Sequence, residues 1–326
     1  MPKVPAWKIN RTVLVKAEED PNPDHGTTPE QRTIMEYIKY GMLIMDKPPG
    51  PTSHEVVAWI KKLLELDKAG HGGTLDPKVT GVLPVGLQES TKVVQALLDS
   101  GKIYVCVMRT HGDEEESRVK STLNLFKGEI LQRPPVRSSV ARRLRTRYIY
   151  DIDYHEGDGR NWLFTVACQS GTYIRKLCFD VGEILGVGAH MQELRRVRSG
   201  PFVESESHTM LDLVDAVDLY KGGDEAPLRE LIRPYEDALA LQPKIWVRDT
   251  AVDAICTGAG LAMPGILRME SGINRGDLVA VLTQKGEAVA LMKAERAEEQ
   301  IMEAEHGIAA LPVRVLMKRG TYPKSW

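Results

Sequence analysis

The sequence predicts an α+β chain in two parts, on three observations. Strand-type and helix-type patterns interleave without a regular βαβ period, which favours segregated layers over a doubly wound sheet. Beyond about Gln242 the text changes to short apolar runs split by glycine turns, as in a small barrel-like domain. The length of 326 residues exceeds what one core usually organises, a domain taking about 100–200. The expected division is an arm at residues 1–40, a larger domain at 41–242 and a smaller one at 243–326.

The arm carries the Pro- and Asp-rich patch PNPDHGTTPE and reads as extended and irregular. GMLIMDK then predicts a short apolar strand, followed by a Pro/Gly turn and a helix that Thr52 or Ser53 can cap. Val56, Val57, Ile60, Leu63 and Leu64 recur along that helix at helical spacing. Lys102 to Thr110 alternates and is rich in β-branched residues, so it should be a strand ending at the turn His111-Gly112-Asp113. NWLFTVACQSG is a second strand of this kind. TYIRKLCFDVGEILG reads as a helix with Ile174, Leu177, Val181, Ile184 and Leu185 on one face and Gly186 as its stop. In the last part, Ala251 to Cys256 reads as a short helix, and LVAVL, AVALM and VRVLM read as strands.

Composition narrows the class without naming a function. A chain that is 42% hydrophobic and 27% charged is ordinary for a folded protein and carries no disorder bias. The net charge of −2 excludes a uniformly basic nucleic-acid binder, so any RNA contact must come from local patches. Arg133, Arg137, Arg142, Arg143, Arg145 and Arg147 form one such patch, and Arg195, Arg196 and Arg198 a second. Four cysteines without CxxC spacing suggest neither a zinc ribbon nor a disulfide framework, which points to a reducing compartment. No apolar signal core opens the chain and no run of about 18 apolar residues follows, so the expected location is the cytoplasm and no membrane partner is expected.

The segment Gly70 to Pro84, GHGGTLDPKVTGVLP, concentrates the chemistry. An isolated Asp-Pro usually orders a turn and nothing more. Here glycines allow close backbone approach around one histidine, His71, and one carboxylate, Asp76. Loops of that kind on a rigid scaffold commonly carry function.

At these residues the chain resembles the signature loop of the tRNA-type pseudouridine synthases of bacteria and of their archaeal and eukaryotic relatives. KIYVCVMRTHGD, RPPVRSSVARRLRTRYIY, CQSGTYIRKLCFDVG and GAHMQELRRVRSGPF resemble further blocks of that family in the same order. AVDAICTGAGLAMPGI, GDLVAV, KGEAVAL and the final TYPKSW resemble the PUA domain and tail of the archaeal homologues of dyskerin. The likeness runs from about Gly41 to the last residue. Gly72, Ile103, Ala141, Thr257 and Met292 depart from common family residues, and none of them touches the catalytic positions.

The resemblance implies a catalytic domain with a central, mostly antiparallel sheet, followed by a PUA β-barrel that the arm embraces. It implies Asp76 as the catalytic aspartate, Arg175 as its charged partner, Tyr104 as the residue stacking on the target base and Tyr173 as a pocket residue. A carboxylate doing this chemistry should be ionised in a site that excludes water, hence the need for a fixed cation. His71 and Leu194 would bind the flipped nucleotide, and Arg142, Arg143 and Arg145 would close over RNA phosphates. In the PUA domain Gly258, Pro264 and Gly265 would contact RNA. No cofactor and no metal are implied, since a carboxylate can form a glycosyl intermediate or remove a ribose proton unaided. Implied partners are a box H/ACA guide RNA, substrate rRNA, tRNA as a further substrate, a small zinc-ribbon protein, a Gly/Arg-type β-barrel protein and a kink-turn-binding protein. A non-catalytic RNA scaffold is one alternative, but it would not need Asp76, Tyr104 and Arg175 together. A glycoside hydrolase is another, and no second catalytic acid stands out for it.

Overall fold

The computed structural model describes residues 4–134 and 143–324. The arm is more ordered than its composition suggests. It contains a strand, β1 (Val13–Val15), and a helix, α1 (Ile34–Lys39). Thr33 and Glu36 cap α1 reciprocally, a pairing that satisfies two otherwise orphaned helix N–H groups.

The larger domain is built on a ten-stranded sheet. Its strands are β2 (Gly41–Lys47), β3 (Ala69–His71), β4 (Thr80–Leu87), β5 (Lys102–Thr110), β6 (Gly128–Gln132), β7 (Arg145–Asp158), β8 (Asn161–Cys168), β9 (Ala189–Ser199), β10 (Phe202–Val203) and β11 (Ile232–Pro234). The order is β11-β2-β4-β9-β5-β8-β7-β6, with β3 added on β4 and β10 on β9. All pairings are antiparallel except β4 with β9. That exception is short, joining only Thr80 to Arg195 and Gly81 to Arg196. Beyond it β4 and β9 part, β3 takes over the edge of β4 at Val85–Leu87, and the sheet is forked.

The fork explains an unexpected strand. Gly70–Pro84 reads as a loop because proline cannot donate to a ladder, yet β4 runs through Pro84. Pro84 falls between the two partners on that edge, where no ladder bond is required of it.

Helices α2 (Ser53–Leu63), α3 (Val94–Asp99), α4 (Glu116–Asn124), α5 (Ile174–Leu185), α6 (Met210–Lys221) and α7 (Ala226–Leu231) pack on this sheet. Thr52 caps α2 in a reciprocal pair with Glu55; Val56 and Ile60 are fully buried, and Val57, Leu63 and Leu64 are partly buried. Gly186 stops α5 in the left-handed region at φ +80°. Ile184, expected on the buried face of α5, is instead 52% exposed, because the inner stripe runs through Cys178 and Gly182 and leaves Ile184 at its edge. Two buried clusters result, one around β2, β4, α2 and α6 and one around β5, β8, α4 and α5. Tyr104, Met191 and Leu194 pack against both and mark the seam between them.

The remaining strands are β12 (Lys244–Val247), β13 (Leu261–Ala262), β14 (Ile266–Glu270), β15 (Leu278–Leu282), β16 (Ala288–Ala294) and β17 (Ile308–Val315), with helices α8 (Asp249–Cys256) and α9 (Glu298–Glu303). They form a second sheet in the order β1-β14-β12-β15-β16-β17-β13 around a buried cluster of their own. The strand read at VRVLM begins earlier, at Ile308, and ends at Val315. The arm closes one edge: β1 pairs with β14, and Lys16 Nζ donates to the carbonyls of Ile301, Met302 and Ala304 at 2.6–3.0 Å, where a cation meets the negative end of α9. The two sheets share a further buried cluster, in which Met42, Ile44 and Val82 meet Ala280, Leu282 and Leu316. At that junction Arg32 of the arm makes a bidentate pair with buried Glu236, whose carboxylate also accepts from Ala288 N at 3.1 Å. No helix among the described residues is long and apolar enough to cross a membrane.

Candidate active site

The loop between β3 and β4 carries Asp76 and is pinned from three sides. Lys47, at the end of β2 and fully buried, donates to the carbonyls of Pro48, Pro77 and Val79 at 2.8, 3.0 and 2.9 Å. Burial and the nearby Arg196 lower its pKa. Ser53, also fully buried, exchanges bonds with Leu75 through Oγ, accepting from its N–H at 2.8 Å. Gly50 N donates to Pro77 O at 2.9 Å. A loop tied at Leu75, Pro77 and Val79 leaves the Asp76 side chain little backbone freedom.

Arg175 lies in the first turn of α5 and pairs with Asp76 through Nη2 and Oδ2. A lone helix arginine is ordinarily a solvated-face residue; this one is in direct contact with the carboxylate. The pair is not sealed from water, with side chains 50% and 54% exposed. Exclusion of solvent, expected for a working carboxylate, is therefore not a property of the free chain. The entry of α5 is itself fixed: buried Gln132 at the end of β6 accepts from Tyr173 N at 2.9 Å and donates to Tyr173 O at 3.1 Å. Tyr173 so stands at the N-terminal end of α5, two residues before Arg175.

Tyr104 and Leu194 face the seam from β5 and β9. Burial pushes the Tyr104 phenol above its ordinary pKa, and the neighbouring Arg196 opposes that shift. His71 ends β3, accepts from Gly73 N at 3.4 Å and lies edge-on to His54 with centroids 4.9 Å apart. Burial first, then His54 and Arg196, lower its pKa, which favours the neutral ring. Asp76 and Arg175 thus meet directly, Tyr104 and Leu194 lie at the seam of the two clusters, Tyr173 caps the helix that carries Arg175, and His71 ends the strand that leads into the Asp76 loop.

The second arginine cluster is not the basic patch that its spacing suggests. Alternation along β9 sends the three side chains to different places. Arg195 is bound by Asp46 and Glu204, Arg196 is fully buried, and Arg198 lies over the ring of Trp7 at 5.3 Å. In the first patch, Arg143 is exposed and Arg145 half-buried, while Arg137 and Arg142 lie outside the described residues. Beside it a groove of about 1130 Å³ is lined by Leu131, Arg133, Leu144, Arg175, Phe179 and Ile184.

Gly258, Pro264 and Gly265 belong to the other sheet. Gly258 has φ +95° at the end of α8, with open space where a side chain would stand. Arg248 clamps the Pro264-Gly265 turn, donating through Nε to Pro264 O and through its backbone N to Gly265 O, both at 2.9 Å, and its guanidinium also meets Glu19 of the arm. Among the described residues no cluster of His, Cys, Asp and Glu fits a metal ion. Lys47, Ser53, Gln132 and Arg196 were invisible to sequence reasoning as parts of the site. Only the Lys-Pro and Thr-Ser dipeptides flanking the turn after β2 could have hinted at the first two.

Comparison with known proteins gives the family. Residues 61–174 match the N-terminal domain of the TruB family pseudouridylate synthases, 175–240 the tRNA pseudouridylate synthase B C-terminal domain, 243–316 the PUA domain and 5–57 the DKCLD domain. A probable tRNA pseudouridine synthase B of Methanopyrus kandleri is 56% identical over 97% of this chain and 94% of its own length. The protein of that name in Pyrococcus furiosus is 54% identical over 98% and 94%. Among solved structures, a chain of a Cbf5-Nop10-Gar1 complex superposes with a TM-score of 0.94 at 53% identity, over 99% of both chains. A chain of an H/ACA RNP bound to a substrate RNA containing 2'-deoxyuridine does so at 0.93 and 51%, over 99% of this chain and 100% of that one. With its pinned aspartate loop, forked antiparallel sheet and C-terminal PUA domain, the chain belongs to the TruB family of pseudouridine synthases.

Proposed function

We propose that the chain is the catalytic subunit of an H/ACA ribonucleoprotein that isomerises uridine to pseudouridine in rRNA, with Asp76 as the reacting carboxylate. The observation that carries this reading is the pairing of Asp76, on a loop held at Leu75, Pro77 and Val79, with Arg175 at the start of α5. Isomerisation breaks N1–C1′, turns the uracil, joins C5 to C1′ and moves the C5 proton to N1, with no net loss of atoms. Asp76 either attacks C1′ to hold the sugar covalently or takes a ribose proton, and Arg175 stabilises its ionised form in both cases. Tyr104 stacks on the extruded base, His71 and Leu194 hold the flipped nucleotide, and Tyr173 lines the pocket. Extrusion costs a few kcal/mol, which RNA contacts elsewhere must offset. The bound RNA would supply the exclusion of water that the free chain lacks.

Arg142, Arg143 and Arg145 are assigned to substrate phosphates, and Gly258, Pro264 and Gly265 to the guide. The proposed division is an arm at 1–40 bound to the PUA domain, a catalytic domain at 41–242 and a PUA domain with its tail at 243–326; support comes from β1 adding to the second sheet. The partners proposed are a box H/ACA guide RNA, a small zinc-ribbon protein, a Gly/Arg-type β-barrel protein and a kink-turn-binding protein, acting together in the cytoplasm. Two of the superposable structures support this, one a Cbf5-Nop10-Gar1 complex and the other an H/ACA RNP bound to a substrate RNA. The relatives' name, tRNA pseudouridine synthase B, favours tRNA as a second substrate. Asp76→Asn tests the central assignment: tritium release from uracil C5 should vanish while RNA affinity stays within about twofold, since the exchange keeps size and hydrogen-bonding shape. Wild-type release would overturn it.

A further inference from the structure

Arg196 is fully buried, yet the hydrogen bonds of its guanidinium go to carbonyl oxygens and not to a carboxylate. Its place follows from the sheet. On β9 the register against β5 runs Ile103 to Arg198 and then Tyr104 to Arg196, so Val197 is a bulged extra residue. Bulges re-aim side chains, and this one sets Arg196 directly across from Tyr104. Arg196 also stands at the fork itself, since Gly81–Arg196 is the last pair between β4 and β9. Its side chain continues where the ladder stops: Nε donates to Val82 O at 2.7 Å and Nη2 to Gly73 O at 3.0 Å. The β4 edge and the loop leading to Asp76 therefore meet on one guanidinium, and Tyr104 stands directly across the ladder from it.

The direction of any hydrogen bond between Arg196 and Tyr104 is forced. A guanidinium only donates, so the Tyr104 oxygen can meet it only as acceptor. We propose that Arg196 is a positioning residue that holds the Tyr104 oxygen and turns its O–H into the cleft, toward the target base. This rests on the reading that Tyr104 faces that base. In the free chain the two side chains are near enough for each to shift the other's pKa, and hydrogen bonds in an unliganded site often form fully only when substrate tightens them.

A double-mutant cycle separates this role from a structural one. Arg196→Lys keeps the charge but loses the planar fork that reaches three acceptors at once. In the full-length chain, saturated with substrate RNA, it should slow single-turnover pseudouridine formation roughly 100-fold, the scale of a displaced reactive group, without weakening RNA binding. In a Tyr104→Phe background the same exchange should change the rate by no more than about twofold, since the oxygen it acts through is gone. Equal slowing in both backgrounds would overturn the proposal and leave Arg196 a strut of the fork. A wild-type rate for Tyr104→Phe alone would overturn it while leaving the stacking assignment standing, whereas a wild-type rate for Tyr104→Ala would overturn that assignment as well, so the two failures are distinguishable. If urea unfolding shows that lysine is not accommodated, Arg196→Gln, which retains planar N–H donors, is carried through the same cycle under the same criteria.

Discussion

Replacing Arg175 by alanine separates catalysis from stability at one residue. Both members of the Asp76–Arg175 pair are about half exposed, at 54% and 50%, and an ion pair of that kind contributes about 0–1 kcal/mol to folding. The arginine also sits in the first turn of α5, where a cation faces the positive end of the helix dipole, so its removal returns about 0.3–1 kcal/mol. The two effects have opposite signs, and the net change in unfolding free energy should stay below about 1 kcal/mol. Bound RNA alters the balance for catalysis. With water displaced, a charge pair at contact is worth about 4 kcal/mol at an effective dielectric of 20. If two-thirds of that is spent on the reacting carboxylate, the rate falls by about 100-fold at 1.36 kcal/mol per factor of ten. Tritium release from uracil C5 under single turnover and urea unfolding, run on one preparation, give both numbers. Arg175→Lys should recover part of the rate, having the charge without the fork. An unchanged rate in the alanine variant would return Arg175 to a solvated helix face. A stability loss above about 2 kcal/mol would show that the pair holds the fold rather than the chemistry.

The junction of arm and sheets should be less tolerant. Arg32→Met leaves the buried Glu236 carboxylate without its cation, a change that typically costs about 3–5 kcal/mol, and adding Glu236→Gln should restore most of it. Burial already raises the Glu236 pKa despite Arg32. In the single variant the defect should therefore be largest at neutral pH and shrink as acid protonates the carboxyl; a pH-independent defect refutes this. Lys102, bonded to the carbonyls of Leu97, Leu98 and Ser100, is pushed by burial and by Arg196 from 10.5 down to about 7. The unfolded chain holds that proton through the interval, so stability should climb as pH rises from about 7 toward 10.5 and level off beyond it. Lys102→Met should flatten the climb in urea titrations, and an identical slope in the variant would count against the buried ammonium. Replacing Arg143 and Arg145 by alanine should reduce the salt dependence of RNA binding by about 0.7–0.9 for each lost phosphate contact; an unaltered slope means that they do not meet phosphates.

Several elements were legible in the amino-acid order because their causes are local. The Lys102–Thr110 strand follows from alternation, the cap of α2 from Thr52 and Glu55, and the stop of α5 from Gly186, each satisfied by neighbours within a few residues. Asp76, Tyr104, Tyr173 and Arg175 could be singled out because they sit in motifs whose order survives in the sequence. What composition disguised was decided by distant partners. Residues 1–40 read as irregular because β1 is a strand only when β14 is beside it. The run around Pro84 reads as a loop because nothing nearby announces that the sheet forks there.

The sequence alone determined which residues are chemically capable: a carboxylate on a glycine-rich loop, an arginine at a helix start, an aromatic on a strand. It could not say which arginines are spoken for. Arg195, Arg196 and Arg198 are near-identical in sequence, yet one is bound by two carboxylates, one is buried at the fork and one lies over an indole. That division depends on strand alternation and on a one-residue bulge at Val197, and a bulge exists only in the pairing of β9 with β5. Tertiary structure decides such matters because a buried charge is tolerated only where partners from other strands satisfy it, and those partners are tens of residues away along the chain.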